Sequence, residues 1–263
     1  MIKKPQWLYN LFFGLKSQIK NQERGPIFII GTGRSGTHFL CSCLNEFEEL
    51  DDYFSGKESP YMFHEISALT VSQKEIPPYV IGYYKHMQRK VSPKIFLDQT
   101  HPNIWNVETL IKEFPNSKFV AISRDVYSVA YSMKLHEGVS KWIKNHMNYP
   151  KPNKFLGINI QNENLYINEL TDLQRSVFRW CAHNRRLDDL AGKFPEFVIK
   201  VNYQDLHNDM WGEMRRLSKF LQVKEPVSVK EFNASSLHKK DSFTNQEIAE
   251  INSALDLYAR FGD

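Results

Sequence analysis

Residues 28 to 40 read FIIGTGRSGTHFL: an apolar run enters Gly31-Thr32-Gly33-Arg34-Ser35-Gly36-Thr37, and a second apolar pattern opens at Phe39-Leu40. A strand that breaks on glycine and re-enters as a helix turns its backbone N–H groups toward whatever fills the turn, and those groups favour an anion. Such a unit belongs in the α/β class, where a parallel strand needs a crossover helix.

The rest of the chain extends the pattern. Short apolar runs bounded by polar or turn residues predict strands at 27–30, 94–98, 118–123 and 196–201. Helical periods cover 35–47, 78–90, 102–114, 126–135 and 171–194, with further helices over 209–221 and 244–261. Thr171 and Asp172 open the longest of these as cap-type residues. Alternation of this kind implies a single domain with a central parallel sheet flanked by helices, its ligands bound beyond the carboxyl ends of the strands. A strand at 51–54 is not expected. Residues 148–169, rich in Asn and Pro without a clear period, read as a surface loop or a flap over the site.

Composition narrows the partners. The 263 residues are 41% hydrophobic and 13% aromatic, enough for one sizeable core. The excess of 34 basic over 30 acidic side chains suits an anionic ligand but is too small and dispersed for nucleic acid. Cys41, Cys43 and Cys181 show no metal-ligand spacing, which implies a reducing, cytoplasmic setting without a disulfide framework. No stretch reaches the ~20 apolar residues of a membrane span. Residues 1–24 read as an N-terminal helical extension docked on the domain. Peripheral membrane contact through that helix is the alternative, because lysines flank its apolar run.

Three readings of the loop compete. A Walker-type kinase site needs a lysine directly after the second glycine, and here Thr37 and His38 follow Gly36. A dinucleotide site of an NAD-binding oxidoreductase fits Gly31, Gly33 and Gly36, with Asp51 and Asp52 lying about 20 residues on as ribose-binding acids. The third takes Arg34-Ser35-Gly36-Thr37 as the core. It resembles the 5′-phosphosulfate loop of the sulfotransferases, which use 3′-phosphoadenosine-5′-phosphosulfate (PAPS).

A second segment, FPNSKFVAISRDVYSVAYS at 114–132, ends a strand at Arg124-Asp125 and carries Ser132 eight residues after the arginine. It looks like the family's 3′-phosphate segment. A guanidinium offers bidentate hydrogen bonds to phosphate, and a helix brings its hydroxyl about two turns on. The plain alternative for Arg124 is a surface ion pair with Asp125. A third segment, FVIKVNYQDL at 197–206, resembles the late strand and turn of the family, which implies Tyr203 near the adenine. The resemblance covers residues 27 to about 207 and implies a P-loop-like sulfotransferase domain over 25–263.

What it implies about chemistry is an in-line displacement. Arg34 would sit at the bridging oxygen and 5′-phosphate, with N–H groups from Gly33, Ser35, Gly36 and Thr37. Arg124 and Ser132 would hold the 3′-phosphate. No metal is expected. Two residues are candidate bases for the acceptor hydroxyl or amine. His101 in FLDQTHPN (96–103) stands where cytosolic members carry a Lys-Thr-His segment, Gln99 replacing the lysine. Glu65 in YMFHEIS (61–67) resembles the His-Glu pair of bacterial members. His101 ranks first, since histidine titrates near neutrality untuned and a glutamate base has to be raised by burial. The family's glycine- and lysine-rich closing loop is not recognisable; residues 235–244, with Lys239 and Lys240, occupy its place and read as a solvated charge run. The acceptor is a small molecule, a lipid or a sugar. A nucleotide-binding module without catalysis is the further alternative.

Overall fold

The computed structural model describes residues 24–56, 59–232 and 239–262. Five parallel strands, β1 (Ile27–Gly31), β2 (Leu50–Asp51), β3 (Ile95–Asp98), β4 (Lys118–Ser123) and β5 (Val198–Asn202), form one sheet in the order β2-β3-β1-β4-β5. The four expected strands are present. The fifth, β2, is a two-residue edge strand that pairs Leu50 with Ile95 and Asp51 with Phe96. It is too short to leave a period in the sequence.

Alternation along the strands divides the core. Phe28, Ile30, Phe96, Phe119 and Ala121 face one side, against α2 (Pro60–Val71), α3 (Pro78–Val91), α4 (Val107–Glu113) and the far half of α8 (Asp172–Lys193). Ile27, Ile29, Leu97, Val120 and Ile122 face the other, against α1 (Thr37–Leu44) and α10 (Met210–Leu221). Both faces are therefore covered, as a parallel sheet requires. Each fully buried Phe or Ile contributes about 2 kcal/mol of hydrophobic free energy. A third cluster packs α5 (Val126–Leu135), α6 (Glu137–Lys144), α7 (Glu163–Asn168), α8 and α11 (Asn245–Phe261) together. The remaining helix, α9 (Tyr203–Asn208), follows β5 directly.

Capping sets the two longest helices. Thr171 and Thr244 each form a capping box, with Gln174 and Glu247 respectively. The helix expected over 102–114 is instead a 3₁₀ turn, His101–Trp105, followed by α4. The cause is tertiary. The buried Asn103 amide donates to Tyr84 Oη (2.6 Å) and Asp98 Oδ2 (3.2 Å), which pins the turn to the sheet.

Residues 148–169 are neither surface loop nor flap. Asn153 pairs with Ile158 and donates its amide to the Val71 carbonyl at 2.8 Å, while Phe155, Leu156, Ile158 and Tyr166 are buried in the third cluster. These apolar residues lack a period because an irregular strap, not a helix, delivers them. The expected N-terminal helix, apart from Arg24, lies outside the described residues. Among the described residues no helix is long and apolar enough to cross a membrane. The three cysteines are free thiols.

Candidate functional site

The glycine-rich turn leaves β1 at the centre of the sheet. Arg34 (φ 79°) and Gly36 (φ 100°) both take the left-handed conformation, and Ser35 N–H donates to the Thr32 carbonyl at 3.0 Å. Alternating backbone of this kind gathers N–H groups into an anion-binding concavity. Gly36 caps α1 without a side-chain hydrogen bond, so the orphan donors of the first turn meet no capping group. The Thr32 and Ser35 hydroxyls are fully buried and have no hydrogen-bond partner among the described residues. Orphaned hydroxyls beside a left-handed glycine turn suit a bound oxyanion.

Two of the loop glycines are forced by their neighbours. A Cβ on Gly33 would stand 2.7 Å from His101 Nε2, and a Cβ on Gly36 would run into the Tyr203 ring. His101 is 4% exposed and opens the 3₁₀ turn beyond β3. That turn is held from beneath by Asp98, which accepts from Thr100 N–H (3.1 Å) and Oγ1 (2.9 Å) as well as from Asn103. The network was not foreseen, since its members combine residues 84, 98, 100 and 103. The candidate base thus rests on the glycine-rich loop, its ring 5.3 Å from that of Phe63 on α2.

Glu65 lies elsewhere on α2. Its carboxylate accepts from the Tyr79 hydroxyl at the start of α3. Burial, and then this carboxylate, push the Tyr79 phenol above its ordinary pKa, so Tyr79 stays a donor. Residues 63 and 65 are two apart on a helix and point different ways, so the side turned toward His101 carries Phe63 and the carboxylate goes to Tyr79.

The second candidate motif arrives on β4, which pairs with β1 along its length up to Gly31 with Ile122. Arg124, 6% exposed, stacks 4.1 Å from the Tyr203 ring centroid, and its carbonyl accepts from Trp180 Nε1 at 2.9 Å. Asp125 stands 3.8 Å from Arg124 Nε and spends its other oxygen capping α5 through Ser128 N–H at 2.8 Å. Arg124 is thus buried at the strand end, with its neighbour carboxylate beyond hydrogen-bond distance. Ser132, two turns into α5, accepts from Arg34 Nε at 2.9 Å, joining motifs 98 residues apart. Burial and the charge of Arg34 both pull the Arg124 pKa down, so the two guanidiniums share one field.

Lys239 joins them. Burial lowers its pKa first, followed by Arg124 and Arg34. Of the run expected to be solvated at 235–244, residues 235–238 lie outside the described residues; Lys240 is exposed, its ammonium 4.4 Å from the Tyr127 ring centroid, while Lys239 departs from the expectation in being partly buried within the field of the two arginines. Between the ends of β4 and β5 a cavity of about 340 Å³ is lined by Arg124, Trp180, Asn184, Asn202, Tyr203 and Gln204. Its aromatic and amide walls beside a cation suit a nucleoside phosphate.

The dinucleotide reading does not survive. Asp52 is 4% exposed and spends its carboxylate on Ser55 N–H (2.9 Å), Gly56 N–H and the Cys41 thiol, while Asp51 accepts from Tyr53 N–H at 2.7 Å. Asp52 is thus engaged at both oxygens and buried away from a ribose, and Asp51 serves its own turn.

Residues 57–226 match the sulfotransferase family. Among solved structures, the fold is similar to the sulfotransferase domain of the Synechococcus PCC 7002 olefin synthase, at 16% identity and TM-score 0.52 over 93% of this chain and 98% of that one. It is also similar to sulfotransferase STF1 of Mycobacterium tuberculosis H37Rv, at 12% identity and TM-score 0.52 over 90% and 76% of the two chains. No curated protein matches the chain in sequence.

The Gly36→Ala variant combines left-handed strain with a collision against Tyr203. It is expected to lose about 2 kcal/mol of stability, a fall in Tm of about 5 °C, checked by thermal unfolding. A Tm within error of the parent would show that the turn is not held as described.

Proposed function

The chain belongs to the sulfotransferase family, and on that premise we propose that it moves a sulfonate group from PAPS to a hydroxyl or amine acceptor. The observation that carries this reading is the meeting of the two phosphate motifs, Arg34 donating to Ser132 with Arg124 and Lys239 alongside. Neither a Walker site nor a dinucleotide site calls for that second motif. The buried hydroxyls of Thr32 and Ser35, and the space kept open at Gly33 and Gly36, fit an anionic group at the loop.

In this reading Gly33, Ser35, Gly36 and Thr37 offer N–H groups to the 5′-phosphate. Arg34 stabilises the negative charge that grows on the bridging oxygen as its bond to sulfur breaks. Arg124 and Ser132 take the 3′-phosphate, Lys239 supplies a third cation, and Tyr203 borders the adenine while holding Arg124 flat. The acceptor oxygen or nitrogen attacks sulfur in line as its proton passes to the base, leaving adenosine 3′,5′-bisphosphate. Positioning and charge supply most of the rate, as in phosphoryl transfer. His101 ranks ahead of Glu65 as base, because it lies against Gly33 whereas Glu65 is engaged by Tyr79. Aromatic side chains such as Phe63 and the exposed Tyr53 and Tyr61 suit an apolar small molecule, a lipid or a sugar ring as acceptor. Free thiols, two of them buried, fit a cytoplasmic setting.

Adenosine 3′,5′-bisphosphate is expected to raise Tm more than ATP or NAD at equal concentration. A preference for ATP or NAD would end the reading. The Arg124→Ala variant should lose about 2–5 kcal/mol of bisphosphate affinity, measured by calorimetry.

The depressed Lys239 pKa sets a pH dependence. Only its protonated form attracts phosphate, so affinity holds at neutral pH and falls as pH rises through a value below that of an ordinary lysine. In Lys239→Arg the fall should move to higher pH; an unchanged profile would remove Lys239 from the site.

Labelled-sulfonate transfer to a panel of acceptors separates enzyme from binding module. The His101→Ala variant is expected to lose about 10²–10⁴-fold in turnover while keeping bisphosphate affinity. If Glu65→Ala behaves so and His101→Ala does not, the two residues exchange roles.

A further inference from the structure

The third core cluster contains a guanidinium that no carboxylate among the described residues answers. Arg179 on α8 is fully buried, and its Nη1 donates to Met133 Sδ at 3.7 Å. Its Nε and Nη2 have no hydrogen-bond partner among the described residues. Its Cζ lies 4.6 Å from the Phe155 ring centroid and 5.5 Å from that of Trp142. Cation–π contacts of this kind offset part of the cost of removing a guanidinium from water, not the whole of it. Burial lowers Arg179 to about 10, so it is still charged at neutral pH; the opposing influence is the Tyr166 phenol, not an acid.

The neighbours are donors or neutral. Tyr166 is fully buried and its hydroxyl also has no partner among the described residues. Beyond it, with ring centroids 5.6 Å apart, His146 has both nitrogens in the same condition; burial and then Arg175 and Lys151 push its pKa down and keep it neutral. His183, one turn along α8 from Arg179, is held neutral by burial and then by the charge of Arg179, and engages the Phe155 carbonyl at 3.0 Å. The nearby carboxylate, Asp172, reaches outward and is taken by Arg175 at 3.1 Å. A fork of N–H donors enclosed by rings and a thioether, with a buried phenol within its electrostatic reach, has the donor chemistry that a small anion needs. The apolar walls admit a weakly hydrated monatomic ion more cheaply than a doubly charged oxyanion.

We propose that Arg179 and Tyr166 form an internal binding site for a small monovalent anion of halide type, held between the Nε/Nη2 edge and the phenol hydroxyl. The site is independent of the reaction assigned above. It nevertheless steadies α8 beside Trp180, which holds the Arg124 carbonyl.

Thermal unfolding of the full chain, with chloride exchanged for gluconate at constant ionic strength, tests this. Tm is expected to rise by about 3 °C from chloride-free buffer to about 0.3 M chloride. A crystal grown in bromide should show an anomalous peak within hydrogen-bond distance of Arg179 Nε or Nη2. Arg179→Met should abolish the chloride response and Tyr166→Phe should weaken it. A Tm indifferent to chloride, a response unchanged in both variants, or water instead of bromide at Arg179 overturns the proposal. If Arg179→Met does not fold, Tyr166→Phe and the bromide crystal decide.

Discussion

Pairing of β1 with β4 puts the glycine-rich turn and the Arg124 turn side by side at the carboxyl end of the sheet, and the rest of the candidate site is arranged around that adjacency. The chain leaves β1 toward β3 on one side and returns to β4 on the other, so a crevice opens where the direction reverses. Gly31 ends β1 opposite Ile122, two residues before Arg124, which is why a loop arginine and a helix serine 98 residues later reach hydrogen-bond distance. The cations converge there, Arg124 buried and Arg34 and Lys239 partly so. Burial first, and then their mutual repulsion, lowers the pKa of Arg124 and Lys239, a field that favours an anion.

Each member of the site is braced from a different layer. Tyr203, at the end of β5, supports both Gly36 and Arg124. Trp180 fixes the Arg124 backbone from α8, and Asp98 fixes the turn below His101 from the opposite face. Such bracing limits the side-chain freedom lost on binding, which is where much affinity is otherwise consumed.

The sequence was legible where a residue's role is local. Thr171 and Thr244 are cap residues before long periodic runs, and the strands at 118–123 and 95–98 are bounded apolar segments. The loop and the Arg124–Ser132 spacing were legible because each motif is contiguous. What escaped depended on contacts between distant residues. Asn103 breaks a helical period because Tyr84 and Asp98 claim its amide. Phe155 and Leu156 join the core from an aperiodic strap, and Tyr79 takes the carboxylate of Glu65. Lys239 reads as one of a charge run until its field is shared with Arg34 and Arg124.

The histidine seated on Gly33 is anchored inward, through Asp98 to Tyr84 on the buried face of α3. In the aromatic segments around Tyr53 and Tyr61, Phe63 packs against the His101 ring, while Tyr53 and Tyr61 themselves are exposed. Exchange of the exposed Tyr53 and Tyr61 side chains therefore leaves the turn under His101 held by Asp98 against the glycine-rich loop, which makes this part of the surface suited to grafting.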